Sequence, residues 1–473
     1  MKKTKIVCTI GPASSDLETI ESMINAGMNV GRINLSHGTR EEHKKTIELL
    51  KDARKNQKMP LAILFDTRGP EIRLKKFTDG PAKIQQGKSF TLTTKDVGCN
   101  DNIASITYKD LPKEVKENDI ILIDDGKISF KVLSVSKTEI KCEALNDGIL
   151  SDHKGINVPH VKLDMEYLND KDTEDIVFGI TQGINFVAAS FVRRRDDVIA
   201  LRNLLDYNDG ENVKIIAKIE NSEGIEKFEE IMELADGIMV ARGDMGVEVD
   251  YDKLPGIQKR VIRRCREEGK IVITATQMLE SMINNKLPTR AEITDVANAV
   301  FDGTSAIMLS GETAVGKYPI EAVNVMSKIA LRAEKDIPDL KLVGFELGIK
   351  TPDDTTNAVS HGACTLAEDI DARALLAITK SGGTAAKMAK FRPLIPVLAS
   401  TPNRRVYNSL ALVWGVKPMM VDNIKGEEEL LAKSIEAAKA LGYLAIGDKV
   451  VASLGVPLDI TGNTNTIRVI IVK

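Results

Sequence analysis

The stretch Val213-Lys-Ile-Ile-Ala-Lys-Ile-Glu-Asn-Ser-Glu-Gly224, an apolar run that ends in polar residues, decides the fold prediction. An apolar run of this length is typical of a buried strand. Because side chains alternate along a strand, Lys218 and Glu220 are expected on the same side, pointing together beyond its carboxyl end. Taken alone, this pair is explained as well by a plain ion pair. Its recurrence at other strand ends is what favours a catalytic role.

Seven further runs of this kind, each followed by a segment of helical period, predict a parallel α/β fold. The predicted strands are Lys5–Ile10, Asn29–Ile33, Leu61–Phe65, Asn185–Ala189, Val213–Ile219, Gly237–Val240, Ile271–Ala275 and Ser305–Leu309. The predicted helices are Leu17–Ala26, Glu41–Asn56, Asp172–Thr181, Asp196–Tyr207, Gly224–Leu234, Leu254–Glu268, Arg290–Phe301 and Pro319–Lys335. Eight successive strand–helix units indicate a closed (β/α)8 TIM barrel more readily than an open sheet.

The third unit is interrupted by about a hundred residues of short alternating strands, which predict an inserted β-barrel domain after strand 3. Since this insertion leaves from the carboxyl end of a strand, it is expected to lie over the barrel mouth as a lid. After a connector at Leu342–Asp354, further strands and helices predict a C-terminal α/β domain. The predicted division is 1–69 with 170–341 for the barrel, 70–169 for the insertion and 342–473 for the last domain.

The composition of the 473 residues is that of a globular protein of two or three domains, with 43% hydrophobic and 28% charged residues. A net charge of -3 argues against a nucleic-acid or membrane surface. No apolar signal core is visible near the N-terminus, and no run approaches the roughly 18 apolar residues of a membrane span. The five cysteines are scattered singly, which indicates a reducing compartment, so a cytoplasmic location is expected.

Polar residues cluster where the predicted barrel strands end, which is where barrels of this kind carry their chemistry. Glu220 and Asp244 are hard oxygen donors at neighbouring strand ends, a combination suited to one Mg²⁺. Arg32, Arg73 and Lys218 form a cationic set suited to a phosphoryl group. The sequence therefore favours phosphoryl transfer, which depends on positioning and charge neutralisation.

Three further groups extend the predicted chemistry. Asn34, Ser36, Asp66 and Thr67 combine one carboxylate with neutral oxygen donors, which suits a weakly held monovalent cation. The turn Ala241-Arg242-Gly243-Asp244 leads toward a helix, and its amides are expected to bind a substrate carboxylate. In the third domain, Thr379-Lys380-Ser381-Gly382-Gly383-Thr384 follows a strand and opens a helix, which favours a phosphate cradle, although a serine-capped helix explains it nearly as well.

These residues also lie in long motifs. The motifs are Arg32-Ile-Asn-Leu-Ser-His-Gly38, Asp66-Thr-Arg-Gly-Pro-Glu-Ile-Arg73, Lys218-Ile-Glu-Asn221, Met239-Val-Ala-Arg-Gly-Asp-Met-Gly246, Thr274-Ala-Thr-Gln-Met-Leu-Glu-Ser281 and Ile307-Met-Leu-Ser-Gly-Glu-Thr313. Together they resemble the signature segments of the pyruvate kinase family over the whole chain. The resemblance implies transfer of the phosphoryl group of phosphoenolpyruvate to ADP, giving pyruvate and ATP, as the last step of glycolysis.

The resemblance also implies roles for single residues. Lys218, Arg32, Arg73 and Thr276 are expected to be catalytic, and Thr276 to bind the substrate carboxylate together with the turn at 241–244. Glu220 and Asp244 would hold Mg²⁺ or Mn²⁺. K⁺ would be held by Asn34, Ser36, Asp66 and Thr67. Glu71 occupies the acidic position that accompanies K⁺ dependence in the family. Nucleotide binding is expected from Asn34, His37, Arg73 and Lys154.

In the family, the loop at 379–384 holds an allosteric sugar phosphate or nucleotide, with help from a late loop like Gly462-Asn-Thr464. A homotetramer regulated by such a phosphorylated effector is therefore expected. Two other classes stay open on the residues alone: a Mg²⁺-dependent lyase or aldolase acting on pyruvate or its enol, and a non-catalytic effector-binding protein. The insertion and the second cation cluster favour the kinase over the first, and the intact charged set argues against the second.

Overall fold

The computed structural model describes residues 1–78, 80–337, 354–458 and 462–473. Eight parallel strands close into a barrel in which each strand pairs with its neighbours in chain order and the first pairs with the last. The strands are Lys5–Thr9, Val30–Asn34, Ala62–Asp66, Phe186–Ala189, Lys214–Ile219, Gly237–Ala241, Ile271–Ala275 and Ala306–Leu309. The predicted (β/α)8 barrel is thereby confirmed.

Helices cover the outside of the barrel, and several begin or end at the signals that the sequence carries. Thr39 and Thr289 each form a capping box with the glutamate three residues on, while Gly269 and Gly303 end their helices in the left-handed conformation. The helices are Leu17–Ala26, Arg40–Asn56, Asp170–Thr181, Arg195–Tyr207, Ser222–Glu226, Phe228–Leu234, Arg242–Glu248, Leu254–Glu268, Arg290–Asp302, Gly311–Ala314 and Pro319–Asp336, with short 3-10 turns at Pro12–Ser14 and Glu280–Ile283.

The single helix predicted at Gly224–Leu234 is wrong. Two short helices replace it, and they meet at Lys227, whose backbone (φ -96°, ψ 18°) is not helical. The first helix begins at Ser222 because the Asn221 side chain accepts a hydrogen bond from the amide of Gly224.

Alternation along the barrel strands separates two apolar layers. On the fifth strand Ile215, Ala217 and Ile219 pack against the outer helices, whereas Ile216 belongs to the cluster inside the barrel. Lys218 has the same parity as Ile216. Because side chains alternate along the strand, Lys218 points into the barrel, as Ile216 does, and away from the outer helices.

The insertion follows the third barrel strand and forms a mostly antiparallel sheet of seven strands. Bridges between Leu74 and Ile106 and between Phe77 and Cys99 join its two edges, and Phe90 stacks on Phe130 inside it at 5.2 Å between ring centroids. In sheet order the strands are Ile72–Arg73, Gly155–Asn157, Ile120–Ile123, Ile128–Val135, Glu139–Ala144, Ser89–Thr93 and Ile103–Ser105, with a separate pair at Ala82–Ile84 and Gly148–Leu150 and a short helix at Leu111–Glu114.

The C-terminal part is a five-stranded sheet flanked by helices. In sheet order its strands are Val416–Met420, Val397–Thr401, Ala374–Ile378, Lys449–Leu454 and Thr466–Ile471, and its helices are Thr355–Asp369, Gly383–Lys390, Arg404–Ser409 and Glu427–Ala440, with a 3-10 turn at Leu410–Leu412. The first four strands are parallel and the last is antiparallel. Apart from Asp354, the connector predicted at Leu342–Asp354 lies outside the described residues.

This sheet contacts the amino end of the barrel, opposite the predicted mouth. The amide of Gly415 donates to the Lys3 carbonyl at 3.0 Å, and the buried Lys5 Nζ donates to the Val416 carbonyl at 2.8 Å. Within the described ranges, no helix has the length and apolar character needed to cross a bilayer. The division at residues 69/70, 169/170 and 341/342 stays a prediction.

Barrel closure leaves no room for a side chain at Gly237, the first residue of the sixth strand. A Cβ atom there would lie 2.8 Å from the Ile271 carbonyl oxygen and 2.7 Å from the Ile216 side chain. We expect Gly237→Ala to lower the apparent Tm by about 2–8 °C, because a backbone atom of the neighbouring strand cannot yield without disturbing the pairing.

The matched control is Gly256→Ala on an exposed helical turn, where a Cβ would meet no atom within 4 Å. Its Tm is expected to stay the same or rise slightly, since alanine is the better helix former. Equal Tm values for both variants in calorimetry would contradict the proposed tight packing at Gly237.

Candidate active site

The side chain of Lys218 lies at the centre of the barrel mouth. Its ammonium is 3.0 Å from Asp66 Oδ1 and 2.9 Å from Glu220 Oε1, and it donates a hydrogen bond to Ser190 Oγ at 2.7 Å. Burial alone would lower the pKa of Lys218, but the carboxylates of Asp66, Glu220 and Asp244 outweigh burial and raise that pKa above its ordinary value. Lys218 is therefore a buried lysine that stays charged.

Asp66 connects Lys218 to a second cation. Its other oxygen, Oδ2, accepts a hydrogen bond from Arg32 Nε at 2.6 Å, and Arg32 also donates to Thr9 Oγ1 at 2.7 Å. Although burial would raise the pKa of Asp66, the charges of Arg32 and Lys218 hold it below its ordinary value. One carboxylate thus fixes two of the predicted phosphate-binding cations in the mouth.

Glu220 is fully buried, and its two oxygens differ. Oε2 accepts a hydrogen bond from the backbone amide of Phe191 at 2.7 Å. Oε1 is buried and accepts no hydrogen bond of regular geometry from the described residues, although the Lys218 ammonium is near. Burial and the Asp244 charge raise the pKa of Glu220 above its ordinary value, against the opposing effect of Lys218. The Phe191 amide thus orients this carboxylate in the way that hydrogen-bonded partners orient metal ligands.

The corner that follows the fourth barrel strand holds both of these side chains. Ser190 Oγ accepts from Lys218 and lies 2.7 Å from the Thr67 carbonyl, while the next amide, that of Phe191, binds Glu220. Phe191 has a φ of +54°, an uncommon value for a residue other than glycine. The Ser190 hydroxyl satisfies a backbone carbonyl, as hydroxyls at strand ends often do, and it also positions Lys218, a contact that no local pattern could reveal.

Asp244 lies close enough for its charge to raise the pKa of Glu220 and of Glu71. It lies in the first turn of the helix Arg242–Glu248. The neighbouring amide of Gly243 was expected to be free for a substrate carboxylate, but it donates to Thr276 Oγ1 at 2.8 Å. This hydrogen bond brings the turn and Thr276 together.

The Arg242 side chain is buried and holds the backbone around Thr276. It donates to the Ala275 and Thr276 carbonyls at 3.3 and 2.6 Å and pairs with Asp295 at 2.8 Å. Thr276 and Gln277 have φ values of +66° and +52°, so this backbone is strained and must be held. The guanidinium of Arg242 therefore holds the loop in place, and the predicted role of Arg242 in substrate binding stays a prediction.

The oxygen donors predicted for a monovalent cation meet at the ends of the second and third strands. Asn34 and Asp66 are direct partners in the parallel ladder, and Ser36 and Thr67 follow within two residues. Asn34 Oδ1 accepts from the Ser36 amide at 3.1 Å, and Thr67 Oγ1 accepts from the Ser190 amide at 3.0 Å. The structure brings these four predicted residues to one place.

Two predicted nucleotide-binding cations lie in the inserted sheet. Arg73 hydrogen-bonds to Glu71 at 2.6 Å and to the His153 carbonyl at 2.8 Å, while Lys154 pairs with Asp124 at 2.9 Å. A cleft of about 400 Å³ between the sheet and the barrel is lined by both cations. His37 and Asp244 also line it. Parts of the chain far apart in sequence thus face one cavity.

The eighth strand ends in polar residues that turn out to be structural. Glu312 is buried, and its oxygens accept from the amides of Leu279 and Ser310 at 3.0 and 2.7 Å. Both carboxylate oxygens of Glu312 therefore hold loops together.

The loop predicted to bind an effector opens the helix Gly383–Lys390 after a strand of the C-terminal sheet. Gly382 has a φ of +90°, and its amide donates to Thr379 Oγ1 at 2.9 Å. Thr384 Oγ1 lies 2.8 Å from Thr464 Oγ1, so the late loop at 462–464 contacts this loop, and effector binding by the two stays a prediction.

Comparisons with known proteins agree with this geometry. A family model described as pyruvate kinase, barrel domain, matches residues 1–323, and one described as pyruvate kinase, alpha/beta domain, matches residues 357–470. A pyruvate kinase of Clostridium acetobutylicum is 45% identical over 474 residues and is covered, like this chain, to 100%. One of Geobacillus stearothermophilus is 45% identical over 474 residues, which cover 100% of this chain and 81% of the relative.

A crystal structure of a pyruvate kinase from Cryptosporidium parvum superposes with a TM-score of 0.94 at 38% identity, covering 100% of this chain and 96% of that one. Fold, length and sequence motifs thus agree over both matched regions. The chain belongs to the pyruvate kinase family and is a phosphotransferase.

Proposed function

We propose that the chain transfers the phosphoryl group of phosphoenolpyruvate to ADP, giving pyruvate and ATP. The observation that carries the proposal is the buried Lys218 ammonium, kept charged between Asp66 and Glu220 with Arg32 beside Asp66. Phosphoryl transfer spreads charge over three equatorial oxygens and needs fixed cations more than covalent chemistry. A preorganised pair of cations in a water-poor mouth meets that need.

In this proposal the barrel binds phosphoenolpyruvate, and residues from both sides of the cleft bind ADP. Lys218 and Arg32 in the barrel bind the phosphoryl group of phosphoenolpyruvate, and Arg73 and Lys154 in the inserted sheet, with Asn34 and His37, bind the phosphates of ADP. The turn at 241–244 and Thr276 bind the carboxylate of phosphoenolpyruvate. Thr276 would also lie where a proton reaches the enolate. Lys154 must leave Asp124 to reach a nucleotide, so ADP and Asp124 compete for it.

Glu220 and Asp244 fit a divalent cation, Mg²⁺ or Mn²⁺. Both supply hard oxygens, and Glu220 Oε1, which lies 2.9 Å from the Lys218 ammonium and accepts no regular hydrogen bond from the described residues, would coordinate such an ion. When bound, the ion would neutralise charge on the oxygens of the substrate. The amide of Phe191 keeps Glu220 in place beforehand, so little reorientation is needed on binding.

Asn34, Ser36, Asp66 and Thr67 fit K⁺ by the chemistry of their donors, since one carboxylate with neutral oxygens suits a large monovalent cation. Burial raises the pKa of Glu71 above its ordinary value, although the neighbouring Arg73 charge acts to lower it. The Asp244 and Lys218 charges also act on Glu71, which places it within electrostatic range of the mouth.

The proposal extends to regulation and assembly. The contact between Thr384 and Thr464 supports a phosphorylated effector, such as a sugar phosphate or a nucleotide, at the loop 379–384. We further propose a homotetramer. A cytoplasmic location is proposed from the five cysteines, which are unpaired and buried.

Replacing Lys218 tests the central cation. Lys218→Met is expected to lower kcat by about a thousandfold or more, because the transferring group loses its buried counter-charge. The measurement is ATP formed from phosphoenolpyruvate and ADP in a coupled assay. Lys45→Met, on the exposed face of an outer helix, is the control with unchanged rate. A near-normal rate for Lys218→Met would remove the proposed function.

Replacing Ser190 tests the positioning of Lys218. Ser190→Ala removes one hydrogen bond to the ammonium, and we expect kcat to fall about tenfold while KM for ADP changes little. Ser360→Ala is the control, since Ser360 is equally buried but its hydroxyl has no hydrogen-bond partner among the described residues. A wild-type rate for Ser190→Ala would show that the contact does not matter.

The charge at position 71 tests the role of K⁺. If this position determines cation dependence, Glu71→Lys should support turnover in K⁺-free buffer, where the parent is nearly inactive, because the new ammonium replaces the ion. Glu71→Gln removes the acid without adding a cation and is expected to need K⁺ still. The measurement is the initial rate of each variant with and without K⁺. An inactive Glu71→Lys in K⁺-free buffer would count against a role of residue 71 in cation dependence.

A further inference from the structure

A side-chain hydrogen bond joins the inserted sheet, residues 72–157, to the helix Arg242–Glu248 of the barrel. Asn157 Nδ2 donates to Glu248 Oε1 at 2.9 Å. Asn157 is the last residue of its strand, and Glu248 is the last residue of the helix Arg242–Glu248. The bond therefore ties the end of one element to the end of the other across the cleft.

Glu248 is an unusual residue for this position because its carboxylate is buried. It is 9% exposed, and no lysine or arginine forms an ion pair with it in the described part of the chain. A buried carboxylate with a single side-chain donor depends strongly on that donor, because hydrogen bonds to a charged group are stronger than those between neutral groups. Separating the sheet from the barrel would leave Glu248 without this partner.

On the barrel side, Glu248 is linked to both proposed magnesium ligands. Asp244 lies one helical turn earlier in the same helix. The main-chain carbonyl of Glu248 accepts a hydrogen bond from Ser222 Oγ at 3.1 Å, and Ser222 follows Glu220 by two residues. A force on the Glu248 side chain therefore acts on the segments that carry Asp244 and Glu220.

On the sheet side, Asn157 is linked to both proposed nucleotide-binding cations. Its strand begins at Gly155, directly after Lys154, and Gly155 pairs with Arg73 on the edge strand. Beside them, the hairpin turn at Gly126 lies against Val247, the neighbour of Glu248: a Cβ on Gly126 would be 3.6 Å from it. The position of Asn157 therefore determines where Arg73 and Lys154 stand relative to the barrel.

We propose that Asn157 and Glu248 are positioning residues for the nucleotide half of the reaction. Their hydrogen bond, here called the Asn157–Glu248 latch, holds the inserted sheet so that Arg73 and Lys154 face Asp244 across the cleft. Neither side chain touches the reacting atoms. The inference rests on the function proposed above, and it adds a mechanism by which the metal-binding helix and the nucleotide-binding strand keep one relative position.

Exchanging the amide and the carboxylate between positions 157 and 248 tests the latch. Asn157→Asp places a carboxylate against Glu248, so the donor is lost and two like charges meet. We expect KM for ADP to rise about tenfold and KM for phosphoenolpyruvate to stay within about twofold. Glu248→Gln alone keeps an acceptor for Asn157 but loses the charge, so KM for ADP is expected to rise less than in Asn157→Asp. In the double variant the new amide donates to the new carboxylate, and KM for ADP should return toward the parental value.

A uniform loss of activity with both KM values raised equally, or a double variant no better than Asn157→Asp alone, would overturn the proposal. Wild-type kinetics of Asn157→Asp would overturn it too. Melting temperatures of all variants within about 3 °C of the parent would show that the swap acts on position rather than on folding.

Sheet position can be measured without catalysis. Spin labels at Lys137→Cys on the sheet and Lys45→Cys on the barrel attach to exposed sites, whereas the five native cysteines are buried. Electron–electron distance measurements should give a broader, longer distribution for Asn157→Asp and a parental one for the double variant. Identical distributions in all proteins would contradict the latch. Should the parent form no ATP from phosphoenolpyruvate and ADP, the proposed function fails while this distance measurement still decides on the latch.

Discussion

The ionic contact among Lys218, Asp66 and Glu220 is the constraint on which the rest of the mouth depends. A charged lysine in a buried place is costly unless carboxylates and hydrogen bonds compensate it. Here two carboxylates from different strands and one hydroxyl surround it, and Asp66 in turn holds Arg32. Because each group compensates another, the site is assembled before any substrate arrives, which is the condition for electrostatic catalysis.

The barrel supplies this arrangement through strand parity and register. Ile216 faces the barrel interior, so Lys218 and Glu220 follow on the same side at the open end. Asn34 and Asp66 are neighbours because the second and third strands pair in that register. The C-terminal sheet closes the opposite end of the barrel through Lys5 and Gly415, leaving one accessible mouth over which the inserted sheet stands.

Much of this could be predicted from the sequence because the relevant signals are local. Apolar runs, capping residues and polar strand ends gave the barrel and most of its strands to within a residue or two. The short strands Ile72–Arg73 and Gly155–Asn157 could not be predicted, because two or three residues are too few to show an alternating pattern. Their pairing is determined by partners far along the chain. The break at Lys227 was missed for a similar reason, because apolar spacing continues through it.

The site was predictable in its charged residues and not in its supporting contacts. Lys218, Glu220, Asp66 and Arg32 could be named from strand ends, whereas the roles of Ser190, Arg242 and Glu248 depend on distances between separate segments. A crystal structure with Mg²⁺ and oxalate, a mimic of the pyruvate enolate, tests the central claim most directly. The account predicts one ion bound by Glu220 and Asp244 with the Lys218 ammonium at hydrogen-bond distance from oxalate. An ion elsewhere, or Lys218 turned away from the ligand, would contradict it.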